Sequence, residues 1–145
     1  MKKMMLIGRT DSGKTTLADV LQKGYSDARK TQSIETVGTI VDTPGEFAEN
    51  RRLYRALLIT SYDTDVVAMV MDAGENHTLF PPNFALAFNR EVIGIVTKKD
   101  LNSDTAYAES SLLKAGAERL FIVSAHTGEG LEELKKYLSY KEESS

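Results

Sequence analysis

The stretch of sequence that decides the fold is Gly8-Arg9-Thr10-Asp11-Ser12-Gly13-Lys14-Thr15. It matches the pattern G-x-x-x-x-G-K-[ST], which directs backbone N–H groups at phosphate oxygens where a strand turns into a helix. The flanking sequence supplies that context, because residues 3–7 predict a strand and residues 14–23 predict a helix ended by Gly24. Lys14 brings a positive charge to the β and γ phosphates, and the Thr15 hydroxyl is a ligand for Mg²⁺. We therefore expect residues 8–15, with Thr16, to bind a nucleotide.

Length and composition predict one α/β domain. The chain has 145 residues, of which 41% are hydrophobic and 27% charged, so one sizeable core is expected over residues 1–140, followed by a polar tail at 141–145. The net charge of −3 argues against nucleic acid as a partner. The absence of cysteine suits a reducing cytoplasm, and the apolar run 4–7 is too short for a signal peptide or a membrane span. A cytoplasmic protein without a membrane partner is expected.

Apolar runs alternate with amphipathic segments, which predicts a three-layer α/β fold: a mostly parallel sheet with helices on both faces. Further strands are expected at 37–41 (in a hairpin with 31–34), 66–71, 92–96 and 120–123. Further helices are expected at 46–59, after Pro81-Pro82, at 104–115 and at 131–138.

A second motif, Asp42-Thr43-Pro44-Gly45, follows the predicted strand 37–41. A carboxylate at that strand end can hold Mg²⁺, usually through water, and the N–H of Gly45 can meet a γ-phosphate. The same four residues also make a good turn. Their place after the phosphate-binding loop, at a strand end, favours the metal and phosphate roles.

Two further motifs indicate guanine. Thr97-Lys98-Lys99-Asp100 follows the strand 92–96, and the Asp100 carboxylate can accept hydrogen bonds from N1–H and the exocyclic amine of guanine, a donor pair that adenine lacks. The Lys98 stem can lie along the base. Ser124-Ala125-His126 follows the strand 120–123, where the N–H of Ala125 could reach guanine O6. All four motifs thus lie at the carboxyl ends of strands, where α/β sheets bind ligands.

These residues resemble the TRAFAC-type small GTPases over almost the whole chain. The closer resemblance is to the EutP/PduV family of ethanolamine- and propanediol-utilisation operons, through K-T-Q-x-I-E at 30–35 and D-T-P-G-E-x-x-E-N-R at 42–51. That resemblance implies a P-loop NTPase fold and a bacterial cytoplasmic protein associated with microcompartment metabolism. A microcompartment protein or an enzyme would then be the partner of the switch regions, the segments of a GTPase whose conformation depends on the bound nucleotide.

Three positions depart from the wider GTPase pattern. Asp11 stands where Era-like proteins carry an asparagine that binds a monovalent cation, and Thr97 stands where most GTPases carry asparagine. Glu46 replaces the water-orienting glutamine of Ras-like enzymes; its carboxylate could accept a proton or orient water, but it would also repel a γ-phosphate. With Lys14, Gly45 and Glu46 as catalytic residues, hydrolysis should therefore be slow.

The remaining metal ligand is expected in the segment before the second motif. Thr31 is the favoured switch threonine for Mg²⁺, and Thr36 is its competitor.

Three functions stay open at this stage. The leading hypothesis is a GTP-binding protein, with ATP as a possible nucleotide, that hydrolyses GTP slowly with Mg²⁺. The second is a phosphotransferase that phosphorylates a small carboxylate such as acetate from ATP, because P-loop machinery does not dictate the acceptor. The third is a docking module that binds nucleotide without catalysis.

Other features carry less specific expectations. Arg51, Arg52 and Arg55 favour a solvated face or a partner contact over an internal arginine finger. His77 and His126 lack metal-ligand spacing and are expected at the surface. The apolar segment 79–84 is expected in the core, with a docking surface as the alternative.

Overall fold

The computed structural model describes residues 2–28, 40–98, 100–102 and 104–139. They build one sheet of five parallel strands in the order β2-β1-β3-β4-β5. The strands are β1 (Met4–Ile7), β2 (Ile40–Asp42), β3 (Val66–Asp72), β4 (Glu91–Thr97) and β5 (Leu120–Ile122). The α-helices are α1 (Lys14–Ala28), α2 (Gly45–Glu49), α3 (Tyr54–Ser61), α4 (Ala106–Lys114) and α5 (Leu131–Ser139). The predicted hairpin strand 31–34 and the polar tail 141–145 lie outside the described residues.

Both faces of the sheet are covered by helices, as the apolar strands predicted. Alternate residues of β1 divide between two cores: Met4 and Leu6 face α1 and α5, whereas Met5 and Ile7 face α3 and α4. All four side chains are fully buried. A strand whose two faces are both covered reads as a continuous apolar run, which is why β1 and β3 lack polar alternation.

The first helix is longer than predicted. It continues through Gly24 to Ala28, so the expected end at Gly24 is wrong. A glycine inside a helix costs about 1 kcal/mol relative to alanine. Leu17 and Leu21 of this helix are buried against the sheet, and packing of this kind offsets the penalty.

The predicted helix 46–59 is divided in two. Asn50 has an extended backbone (φ −125°, ψ 112°), and its side-chain oxygen accepts a hydrogen bond from the N–H of Arg52 at 3.0 Å. A short 3₁₀ turn, Arg51–Leu53, then leads into α3. Asparagine competes for backbone hydrogen bonds in this way, which is why a helical pattern of leucines did not produce one helix. As a result, α2 is separate from α3.

The proline pair also fails to open an α-helix. The chain instead forms one 3₁₀ turn, Phe84–Ala87, which begins after Asn83 in the left-handed conformation (φ 66°). Phe80 and Phe88 are buried, and the Phe84 ring lies 5.4 Å from that of Phe80 and 5.6 Å from that of Phe88. The expectation of core packing for the apolar segment 79–84 is therefore confirmed at Phe80.

The end of α5 is attached to the start of β4. The Tyr137 hydroxyl donates to Glu91 at 2.6 Å, and Arg119 forms an ion pair with the same carboxylate at 3.2 Å. Burial, together with the bond to Glu91, raises the pKa of Tyr137 above its ordinary value. In the described ranges, none of the helices combines the length and apolar character needed to cross a bilayer.

The packing of α4 on β4 leaves no space at Gly94. A Cβ there would lie 2.8 Å from a methyl of Leu120 and 3.0 Å from the Cβ of Leu112. We expect Gly94→Ala to lower the free energy of unfolding by about 1–3 kcal/mol, because added volume strains a packed core. Urea unfolding followed by circular dichroism measures this loss. Gly74→Ala, whose new methyl would meet nothing closer than 3.5 Å, is the control and should leave stability nearly unchanged.

Candidate nucleotide-binding site

The motif of residues 8–15 forms the loop between β1 and α1 and the first two residues of α1. Asp11 (φ 70°) and Gly13 (φ 95°) are both in the left-handed region, which curls the loop over the end of the sheet. A side chain at Gly13 is unfavourable for two reasons. The positive φ suits glycine, and an added Cβ would lie 3.0 Å from the Thr97 hydroxyl. Lys14 begins α1 and is buried. The positive end of that helix therefore faces the space enclosed by the loop.

Residues from the first two motifs surround one polar pocket of about 490 Å³. We call it the phosphate pocket. Its lining residues are Thr10, Asp11, Gly13, Lys14, Thr15, Thr16, Asp42, Thr43, Pro44, Gly45 and Lys98. Strand pairing explains the arrangement, because parallel pairing of β1 with β2 brings Asp42 beside Leu6, just before the loop. The two motifs thus meet although they are far apart in sequence.

The predicted magnesium ligands Thr15 and Asp42 are in direct contact. The Thr15 hydroxyl donates to the Asp42 carboxylate at 2.8 Å. A hydroxyl and a carboxylate side by side are oxygen ligands of the type that Mg²⁺ prefers, and the Asp42 carboxylate can also hold the ion through water. Among the residues that the structure describes, no cluster of three or more His, Cys, Asp or Glu could hold a metal. Thr31 and Thr36 lie outside the described residues.

A second pocket of about 270 Å³ adjoins the first, and we call it the base pocket. Its lining residues are Gly13, Thr16, Leu17, Thr97, Lys98, Asp100, Leu101, Val123, Ala125 and His126. Gly13, Thr16 and Lys98 line both pockets. The two pockets therefore form one cleft, polar at the phosphate end and more apolar at the other.

Asp100 is held at the base pocket by Ser124. The Ser124 hydroxyl donates to the Asp100 carboxylate at 2.7 Å and accepts a hydrogen bond from the N–H of Thr127 at 3.1 Å. Ser124 is fully buried, whereas Asp100 is exposed. A buried hydroxyl with fixed partners therefore orients an exposed carboxylate. Ala125 lines the same pocket.

Thr97 and Lys98, at the end of β4, attach the sheet to the loop. The buried Thr97 hydroxyl donates to the carbonyl oxygen of Ser12 at 2.5 Å. The Lys98 ammonium donates to the carbonyl oxygen of Asp11 at 2.8 Å and forms an ion pair with Asp72 at 3.1 Å. Thr97 thus acts as a support of the loop, and Lys98 connects three elements at once.

Other residues singled out by the sequence lie further from the cleft. The guanidinium of Arg9 donates to Glu75 at 3.2 Å and to the carbonyl oxygen of His77 at 2.6 Å, so its side chain is used in a structural contact. Neither Gly8 nor Arg9 lines either pocket. The Ser12 hydroxyl is buried without a hydrogen-bond partner in the described part of the chain. Glu46 is exposed and is not among the lining residues of the phosphate pocket.

The structure also adds residues to the cleft that the sequence did not single out. Leu101 and Val123 line the base pocket, and so does His126, which is exposed as expected. Glu49 accepts a hydrogen bond from the N–H of Thr10 at 2.8 Å. Leu101 follows one motif by one residue and Val123 precedes another by one residue, a signal that could have been used. Glu49 belongs to the segment D-T-P-G-E-x-x-E-N-R at 42–51, but nothing in that segment indicates its contact with Thr10.

The three arginines after the second motif are exposed. Within the described ranges, the side chains of Arg51, Arg52 and Arg55 make no hydrogen bond or ion pair. His77 is exposed as expected.

Comparison with known proteins places this arrangement in a family. The family model described as PduV-EutP, ethanolamine utilisation and propanediol utilisation, matches residues 1–140. The chain belongs to the PduV-EutP family. It is 42% identical over 146 residues to the propanediol utilization protein PduV of Citrobacter freundii, covering 99% of this chain and 97% of that protein. The family is linked to propanediol and ethanolamine utilisation.

Two other curated proteins extend the comparison beyond PduV. The probable acetate kinase EutP of Escherichia coli (strain K12) is 33% identical over 144 residues, covering 96% of this chain and 90% of that protein. GTPase Era of Bradyrhizobium sp. (strain BTAi1) is 31% identical over 159 residues, covering 92% of this chain and 51% of Era. PduV-EutP proteins are thus related to a larger GTPase through about half of its length.

Solved structures share the fold of this PduV-EutP protein. Elongation factor SelB from Methanococcus maripaludis, in complex with the GTP analogue GppNHp, matches with a TM-score of 0.64 and 24% identity over 95% of this chain and 33% of SelB. The FeoB G-domain from Methanococcus jannaschii matches with a TM-score of 0.62 and 21% identity over 95% of each chain. The fold is that of a P-loop NTPase.

The support of the loop by Thr97 can be tested directly. We expect Thr97→Val to lower the free energy of unfolding by about 1–2 kcal/mol, because the buried Ser12 carbonyl then loses its donor while the side-chain volume stays the same. Thermal and urea unfolding measure the change. Thr97→Ser keeps the hydroxyl and should lose less stability than the valine variant. Equal stability of Thr97→Val and the unchanged protein would contradict the role given to this bond.

Proposed function

We propose that this PduV-EutP protein binds GTP with Mg²⁺ and hydrolyses the GTP slowly. The observation that carries the proposal is Asp100, a carboxylate oriented by the buried Ser124 at one end of a cleft whose other end is the phosphate-binding loop. A carboxylate offers acceptors only, and guanine presents the matching pair of donors on one edge.

The base pocket supports guanine over adenine. Asp100 would take N1–H and the amine, the N–H of Ala125 would reach O6, and the stem of Lys98 would lie along the base. A pocket built to pair such donors rejects an analogue that lacks them, because its own polar groups would stay unpaired. The identity of 31% with a protein named GTPase Era points to the same nucleotide.

The phosphate pocket supports a magnesium-bound triphosphate. Lys14 and the N–H groups of the loop residues that line the pocket would hold the phosphates, and Gly45 would meet the γ-phosphate. Thr15 and Asp42 would hold the Mg²⁺, with Thr31 as a third protein ligand. The bound ion would neutralise phosphate charge.

Slow hydrolysis follows from what the catalytic residues can do. Lys14 stabilises negative charge on the phosphates, and the N–H of Gly45 orients the terminal one. Glu46 is exposed, and as a carboxylate it is repelled by the γ-phosphate rather than drawn to it. Water would therefore be poorly positioned in the absence of a partner, a condition typical of G domains with low intrinsic activity.

The setting of this activity is proposed from the family. Its description, ethanolamine and propanediol utilisation, supports a bacterial cytoplasmic protein that works with a microcompartment or one of its enzymes. Residues 1–140, the range of the family match, would form one G domain. The exposed basic surface of Arg51, Arg52 and Arg55 is a suitable contact for such a partner.

The role of Asp100 can be measured with fluorescent GTP and ATP analogues. We expect the unchanged protein to prefer GTP, and Asp100→Ala to lose GTP affinity by about a hundredfold because two charge-assisted hydrogen bonds disappear. Asp63→Ala removes the same charge from an exposed residue outside both pockets and should bind GTP normally. Equal affinity for GTP and ATP, unaffected by Asp100→Ala, would refute the guanine assignment.

A second candidate function is phosphoryl transfer to a small carboxylate. The observation in its favour is the relative named probable acetate kinase EutP, 33% identical over 144 residues. The same phosphate pocket would serve, because positioning a γ-phosphoryl group does not select between water and a carboxylate as acceptor. ATP would then be the expected donor.

Single-turnover assays with and without acetate separate the two functions. We expect phosphate release from GTP at roughly 10⁻⁴ to 10⁻² per second, the range of G domains that lack an activating partner. Chelation of Mg²⁺ should stop this release, and acetate should not change it. Acetyl phosphate as product would favour phosphotransfer instead, and nucleotide binding without any turnover would favour a docking module.

A further inference from the structure

Glu49, at the end of α2, contacts the phosphate-binding loop through a backbone amide. Its carboxylate accepts a hydrogen bond from the N–H of Thr10 at 2.8 Å. Thr10 lines the phosphate pocket together with Lys14 and Gly45. A loop of this type binds phosphate through its N–H groups. In this structure, one of those groups is occupied by a side-chain anion of the protein itself.

The other end of α2 touches the same residue. Gly45 lies so close to Thr10 that an added Cβ would clash with the backbone and hydroxyl of Thr10. Both ends of this short helix therefore lie against one residue of the loop. Because the chain is extended at Asn50, α2 is not continuous with α3.

The charge of Glu49 is poorly placed for a bound triphosphate. Glu49 and the γ-phosphate would both be anions bound to the same loop, and Gly45, which begins α2, would be next to that phosphate. Glu49 is exposed, so water and salt weaken the repulsion, but like charges held on the same short loop still oppose each other. A diphosphate lacks the terminal group and opposes Glu49 much less.

We propose that Glu49 is the residue that senses the γ-phosphate: it holds α2 on Thr10 when the site is empty or contains a diphosphate, and a triphosphate displaces it. The inference rests on the proposed nucleotide binding and adds the way in which the bound state is transmitted. Binding linkage requires the effect to be mutual, so the contact of Glu49 with Thr10 weakens triphosphate binding by the same factor as the triphosphate weakens the contact.

Release of α2 would also move the surface that follows it. The exposed Arg51 and Arg52 come directly after Asn50, so a displaced α2 changes the position of this basic surface. Glu49 is thus a positioning residue, distinct from the groups that contact the phosphates.

The test compares affinities for a non-hydrolysable GTP analogue and for GDP, by calorimetry, in three proteins. Glu49→Gln keeps an oxygen that can accept the Thr10 N–H but removes the charge. We expect it to raise the ratio of GTP-analogue affinity to GDP affinity by about fivefold or more. Glu132→Gln makes the same charge change at an exposed residue of α5 and should leave the ratio unchanged.

Glu49→Ala adds a readout that a purely structural role would not give. The alanine variant loses both the hydrogen bond and the charge, so the affinity ratio should rise at least as much as in Glu49→Gln. Hydrogen exchange at residues 45–53 should be fast in the unliganded variant, whereas in the unchanged protein it should become fast only with the GTP analogue. A structural role would instead weaken both nucleotides equally in the alanine variant and spare the glutamine variant.

The outcomes separate this inference from the proposed function. Guanine nucleotide binding with the same affinity ratio in Glu49→Gln and the unchanged protein overturns the sensor and leaves the function standing. If only an ATP analogue and ADP bind, the guanine assignment fails. The ratio of ATP-analogue affinity to ADP affinity, compared between Glu49→Gln and the unchanged protein, then tests the role of Glu49 in the same way. If no nucleotide binds, both proposals fall.

Discussion

Two hydrogen bonds from the end of β4 to the phosphate-binding loop hold the whole site in place. The Thr97 hydroxyl donates to the carbonyl oxygen of Ser12, and the Lys98 ammonium donates to the carbonyl oxygen of the preceding residue, Asp11. Asp11 of the loop is in the left-handed region, which is unfavourable for a residue with a side chain and is maintained here by the contacts of the loop. Because Lys98 also lines both pockets, the attachment that shapes the phosphate end positions the base end as well.

Acidic residues around the cleft have separate tasks. Asp72 neutralises Lys98, Asp42 accepts from Thr15, and Asp100 is directed at the base pocket by Ser124. Glu49 binds the loop itself. A site with this many carboxylates cannot attract a nucleotide by net positive charge, so the proposed binding would depend on directed hydrogen bonds, on Lys14 and on a divalent ion. Because proteins of diverse function share this fold, the function is inferred from the residues of the site.

The strands were predicted well and the helices less well. Buried parallel strands are short and almost entirely apolar, so β3 and β4 are visible in the sequence as uninterrupted runs. Helix ends depend on single polar residues and on packing. Gly24 did not end α1, whereas Asn50 broke a pattern that looked continuous, because its side chain could bond the N–H of Arg52. Intrinsic helix propensities could not show that a helix would continue through Gly24 and be interrupted at Asn50.

Local patterns were sufficient for the class of fold, the phosphate-binding loop and the order of the four motifs, because each depends on residues within a few positions of one another. Contacts across the cleft were decided by the tertiary structure alone. Thr10 meets Glu49 across 39 positions, and Lys98 meets Asp11 across 87. Such pairs arise from the order in which strands enter the sheet and from the break at Asn50, neither of which leaves a periodic signal. For that reason the sequence could indicate a nucleotide site, but only the folded chain showed which acid lies against it.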